Sequence, residues 1–80
     1  MSDVESRVKQ VVVATLKVDK ARVTDDARFV EDLGAESIQS IELIAAFEEE
    51  FDIDMDEEAA VAVKNVGVAV KFIQDVVDNQ

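Results

Sequence analysis

The chain has no cysteine, histidine, proline, tryptophan or tyrosine, and its 80 residues include only two glycines, Gly34 and Gly67. Without cysteine there is no disulfide framework and no thiolate–zinc scaffold. Without histidine it lacks the side chain that ordinarily acts as a base near neutral pH. No apolar run approaches the roughly 20 residues needed to cross a bilayer. The opening segment Met1-Ser2-Asp3-Val4-Glu5 is acidic, where a signal or transit peptide would be basic, so the expected location is the cytoplasm. One further absence is local: between Phe29 and Val63 there is no lysine or arginine.

Hydrophobic residues make up 49% of the chain and charged ones 34%, a balance that fits a folded soluble domain rather than a disordered segment. The length suffices for one small core and not for two, so a single domain over residues 1–80 is expected. The formal net charge is −11, and its placement matters more than its size. Twelve of the 19 acids lie in the base-free stretch: Glu31, Asp32, Glu36, Glu42, Glu48, Glu49, Glu50, Asp52, Asp54, Asp56, Glu57 and Glu58. The bases flank it, with Arg7, Lys9, Lys17, Lys20, Arg22 and Arg28 before and Lys64 and Lys71 after. Such a field repels nucleic acid and anionic lipid and steers basic protein surfaces toward it. The same charge also serves plain solubility. The expectation is a monomer that meets basic protein surfaces, with no nucleic-acid partner and no membrane insertion.

Apolar periodicity predicts an all-α chain. Val4, Val8, Val11, Val12 and Thr15 mark one face of a first helix from Asp3 to Leu16, with Ser2 or Asp3 as cap. Its β-branched run Val11-Val12-Val13 has low helix propensity, so packing must hold it. Residues 17–36 show no sustained period and read as a long loop, pinned to the core by Val18, Val23, Phe29 and Leu33. Ile38, Ile41, Leu43, Ile44, Phe47 and Phe51 form an apolar stripe on a second helix, Ser37 to about Phe51. Residues 57–62 make a short third helix. The last third reads two ways. Alternating Val61, Val63, Val66, Val68 and Val70 around Asn65 and Gly67 signal a hairpin. Val66, Ala69, Val70, Ile73 and Val77 instead fit a helix capped by Asn65. The helix is preferred, because a lone hairpin beside three helices is marginal. The predicted fold is a small four-helix bundle with a long loop between helices one and two and a short helix three.

Asp32-Leu33-Gly34-Ala35-Glu36-Ser37-Ile38 delivers one hydroxyl to the start of the second helix. Gly34 permits a sharp turn. Ser37 then lies at the first helical turn, where unpaired N–H groups and the positive dipole end favour an anion such as a phosphate. Position alone leaves three roles open: helix cap, phosphorylation site, or attachment point. A chain without thiol or neutral-pH base could handle reactive acyl groups only through something attached to that serine.

This segment, followed by Ile41-Glu42-Leu43 and Phe47-Glu48-Glu49-Glu50-Phe51-Asp52, resembles the acyl carrier proteins of the bacterial type II-like kind. Their signature is an Asp-Ser-Leu core after Leu-Gly, then a Glu-Leu pair and an acidic Glu-Glu-Phe segment. The likeness runs without a gap through Met55, Val63 and Asn65-Val66, so it covers most of the chain. It implies that Ser37 receives 4′-phosphopantetheine from coenzyme A, through a separate magnesium-dependent phosphopantetheinyl transferase. The thiol of that arm would carry acyl intermediates as thioesters to enzymes of fatty-acid, related lipid or polyketide synthesis. By the same likeness the chain is a carrier and not an enzyme. Glu36, Glu42, Glu48 and Glu49 match acidic positions that meet Arg and Lys on loading, elongating and acyl-transfer enzymes, and Ile38 and Met55 match apolar positions flanking the arm. Leu43, Phe47, Val63, Ala69 and Ile73 are the implied lining of an acyl-chain pocket, and ordinary core at the same time. Departures from the family pattern point to a specialised member. Glu36 stands where aspartate is usual and is a poorer cap. Ile38 replaces leucine, Ala45 replaces a larger residue, and Asp56 replaces a proline, loosening the approach to helix three. Segment 61–70 is unusually rich in valine.

Two rivals come from other classes. Asp52-x-Asp54-x-Asp56 opens like an EF-hand loop, but position six is Glu57 instead of glycine and position twelve is Val63 instead of glutamate. An unmodified acidic helical module docking on a basic partner is the second.

Overall fold

A computed structural model describes residues 3–79, with Glu57 described by its backbone alone. Four helices follow in order, α1 (Asp3–Leu16), α2 (Ser37–Phe51), α3 (Glu57–Ala62) and α4 (Val66–Asp78), with one 3-10 turn, Lys20–Arg22, inside the long α1–α2 connection. No strand occurs among the described residues, so the bundle is all-α as the periodicity predicts.

α1 buries Val4, Val8, Val12 and Leu16 and packs on both α2 and α4. Each such burial contributes about 1.5–3 kcal/mol. Valine's helix-propensity deficit is below about 0.7 kcal/mol per residue, so packing wins. Asp3 is already helical rather than a cap; Ser2 lies outside the described residues.

The α2 stripe is narrower than its sequence suggests. Leu43, Phe47 and Phe51 are buried, whereas Ile38 and Ile41 are 63% and 70% exposed. At about 100° per residue, Ile38 and Ile41 fall roughly 140° and 200° around the helix from Leu43, off the face that α1 covers. Only the later part of the stripe is core.

Val23, Phe29 and Leu33 pin the connection between α1 and α2 as expected, Ala27 and Ala35 are buried with them, and Val18 is only half-buried. It is also clasped to the start of α4. Phe29 N–H donates to the Lys64 carbonyl (3.1 Å), Val66 N–H to that of Ala27 (3.0 Å) and Gly67 N–H to that of Asp25 (2.7 Å). Arg28 and Asn65 form an antiparallel bridge there. A Cβ on residue 67 would lie 2.8 Å from the Asp25 carbonyl oxygen, so the close approach requires glycine.

α4 settles the helix-or-hairpin ambiguity. It buries Val66, Ala69 and Ile73, and the Asn65 side chain caps it by accepting from Val68 N–H at 2.8 Å. α3 gives Asp56 a role the sequence did not suggest: its carboxylate accepts from Ala59 N–H at 2.9 Å and is the N-cap.

Candidate functional site

The loop before α2 is built to present one residue. Asp32 Oδ2 accepts from the Arg28 backbone N–H (2.8 Å) and from its Nε (3.1 Å). The Arg28 side-chain hydrogen bond, with the backbone bond behind it, holds the Asp32 carboxyl below the usual carboxylate range. Ala35 N–H returns to the Phe29 carbonyl at 2.8 Å, and Gly34 turns the chain with φ 71°. Glu36 follows in extended conformation as the N-cap of α2, its own N–H held by Gln39 Oε1 at 2.9 Å. That reach back from the third helical position supports a residue whose length makes it a modest cap.

Capping therefore falls to Glu36, and Ser37 is the first helical residue. Ser37 is exposed, and no partner engages its hydroxyl among the described residues. A phosphate ester fits this position. The hydroxyl is free, open to a second protein, and at the helix end whose first amides have no intrahelical acceptor.

The acidic residues of α2 divide into two kinds. Glu36, Glu42 and Glu49 are exposed, and Glu42 and Glu49 make no ion pair among the described residues. Glu48 is half-buried, and its Oε2 accepts from Met55 N–H at 3.0 Å. Glu50 is taken by Arg7 (2.9 Å), whose guanidinium also sits 4.5 Å from the centre of the Phe51 ring. Ile38 is exposed beside Ser37. Met55 is buried instead, and forms part of an open groove of about 450 Å³ with Ile41, Ala45 and Val61, which Ser37 does not line.

Between α2, α3 and the loop lies a cavity of about 270 Å³. Phe29, Leu43 and Val63 are its buried lining, Ile44 and Ala60 are half-buried, and Val30, Glu31 and Lys64 are exposed. Of the residues expected to line an acyl pocket, Leu43 and Val63 border this cavity. Phe47, Ala69 and Ile73 are fully buried core and do not border this space. Ser40 and Val30 border both the cavity and the shallow surface around Ser37, so the two are neighbours. The other lining residues, Phe29, Val30, Glu31, Ser40, Ile44, Ala60 and Lys64, were not among the sequence candidates. Ser40 carried a usable signal, three residues from Ser37 on one helix face. The loop residues carried none, because their placement is tertiary.

The EF-hand-like triplet comes apart in space. Asp52 is the left-handed C-cap of α2 (φ 54°), Asp56 caps α3, and no three carboxylates gather as a metal site among the described residues.

With this geometry in place, the comparison with known families is direct: the chain belongs to the acyl carrier proteins, its residues 6–73 matching the phosphopantetheine attachment site family. It is 51% identical over 75 residues to the acyl carrier protein of Phenylobacterium zucineum (strain HLK1), covering 94% of this chain and 95% of that one. It is 48% identical over 75 residues to the acyl carrier protein of Caulobacter vibrioides (strain NA1000 / CB15N), covering 94% and 96%. The cofactor of the family, 4′-phosphopantetheine, supplies the thiol that the side chains lack, and the chain acts as its carrier. A phosphopantetheinyl transferase and enzymes of synthesis act on members of this family. No described helix is long and apolar enough to cross a membrane.

Proposed function

We propose that Ser37 is the attachment residue, and that residues 1–80 are one carrier domain presenting acyl thioesters to enzymes of fatty-acid synthesis in the cytoplasm. The observation that carries this is the free, exposed hydroxyl at the first position of α2, held ready by the Gly34 turn and the Glu36 cap. The chain is not itself an enzyme in this reading. When bound, the arm supplies a thiol for thioester formation; the protein's own residues position it, shelter its cargo and meet its partners. The partners carry Arg and Lys around their docking sites, and the carrier works as a monomer.

The unpaired Glu42 and Glu49, with Glu36, are the charges that meet those patches. Exposed pairs contribute about 0.2–1 kcal/mol each, so their effect is fast, salt-sensitive encounter rather than tight binding. That suits a shuttle, which has to leave each partner. Ile38 flanks the arm, and Met55 with Glu48 shapes the groove further along α2. Leu43 and Val63 are the pocket residues first met by cargo, while Phe47, Ala69 and Ile73 form the core behind them.

Incubation with coenzyme A, magnesium and a broad-specificity phosphopantetheinyl transferase tests the assignment by intact mass. Wild type and Ser40→Ala are expected to gain one phosphopantetheine, and Ser37→Ala none. A wild type that stays unmodified while a control carrier is loaded refutes it.

A further inference from the structure

Among the described residues the cavity beside α2 has one cation in its lining, and that cation has no partner. Phe29, Leu43 and Val63 are buried, Ser40 is half-buried, and Glu31 and Lys64 are exposed at the rim. Glu31 is engaged by Arg28 at 3.7 Å. Ser40 donates a long 3.3 Å bond to the Glu36 carbonyl. Among the described residues nothing pairs with the Lys64 ammonium. Its backbone is nevertheless fixed. The Lys64 carbonyl accepts from Phe29 N–H at 3.1 Å, and the next residue, Asn65, bridges to Arg28. Lys64 is thus tied to the loop that forms the facing wall of the same cavity. An ammonium is a donor only, and a purely apolar cargo has nothing for it.

From this we infer that the cavity favours acyl groups oxygenated near the thioester, 3-hydroxyacyl over saturated acyl, with Lys64 as the specificity residue. The inference rests on Ser37 as the attachment point. A chain entering tail first lays its apolar end against Phe29, Leu43 and Val63, where burial is favourable. Its thioester end stays at the mouth. A hydroxyl on the third carbon is then at the level of the rim, where Lys64 donates to it and the Ser40 hydroxyl can donate or accept. A saturated chain of equal length makes the same apolar contacts and leaves the ammonium to water. The discrimination is one charge-assisted hydrogen bond at a partly solvated site.

The test uses hexanoyl and 3-hydroxyhexanoyl arms, loaded from their coenzyme A thioesters and counted by intact mass. Exchange of each thioester with 2-mercaptoethanol is measured, and each rate is compared with that of the free pantetheine thioester. Protection of the hydroxylated chain is expected to exceed that of the saturated one about fivefold. Lys64→Met should bring this ratio to about one, and Lys64→Arg should restore it. Equal protection of both chains on loaded wild type overturns the inference alone. So does a Lys64→Met variant that keeps the ratio or weakens both chains equally. No mass gain on wild type overturns the attachment assignment and this inference with it.

Discussion

Ser37 and Glu48 show how much a single position means once its neighbours are known. In the sequence the position of Ser37 leaves cap, phosphorylation site and tether open. The structure removes the first role by placing Glu36 at the cap and Ser37 inside the helix. Glu48 and Glu49 look alike in the sequence but differ in work. Glu49 is exposed with no partner among the described residues, whereas Glu48 holds the Met55 amide at 3.0 Å. Glu48→Ala should therefore cost about 1 kcal/mol in urea denaturation. Glu49→Lys should leave stability within about 0.5 kcal/mol and slow association with a basic partner enzyme at low salt. Equal stability losses for the two variants would mean the Glu48–Met55 bond contributes nothing. Neighbouring glutamates cannot be told apart in this way from composition, because the difference lies in which one faces the chain after it has turned.

At the level of elements, periodicity found α1 and α2 with their boundaries and the buried face of α4, and cap chemistry at Asn65 found the start of α4. Two things were not legible. The width of the α2 core face depends on which neighbour covers it, and the clasp between residues 25–29 and 64–67 is a long-range pairing with no local signature. The alternating valines and Asn65-Gly67 that suggested a hairpin have a physical counterpart all the same: Asn65 bridges Arg28 before it caps α4. Gly67 is where the two readings meet. In an ordinary helix, Gly→Ala stabilises by about 1 kcal/mol. Here the new methyl would meet the Asp25 carbonyl at 2.8 Å, so Gly67→Ala is expected to destabilise by about 1–3 kcal/mol instead. Thermal or urea unfolding decides the sign, and faster hydrogen exchange at the Phe29 and Val66 amides would locate the damage in the clasp.

For the molecule as a whole, a net charge of −11 acts on stability and on association in opposite ways. Added salt screens self-repulsion, so the Tm should rise between low and moderate ionic strength. The same salt weakens steering toward basic partners, so association rates should fall over that range. A Tm independent of salt would mean the acids are already compensated. α3 completes the picture. Its flank toward the interior rests on Ala59 and Val63, while Val61 is 69% exposed. What holds it are its two abutments: Ile53 and Met55, tied to Glu48 on one side, and the Lys64–Gly67 clasp on the other. In the proposed function, a cargo that outgrows the cavity would press on this six-residue span between its two piers. The height to which it can arch would then set a ceiling on chain length, and shortening or stiffening residues 52–56 would lower that ceiling.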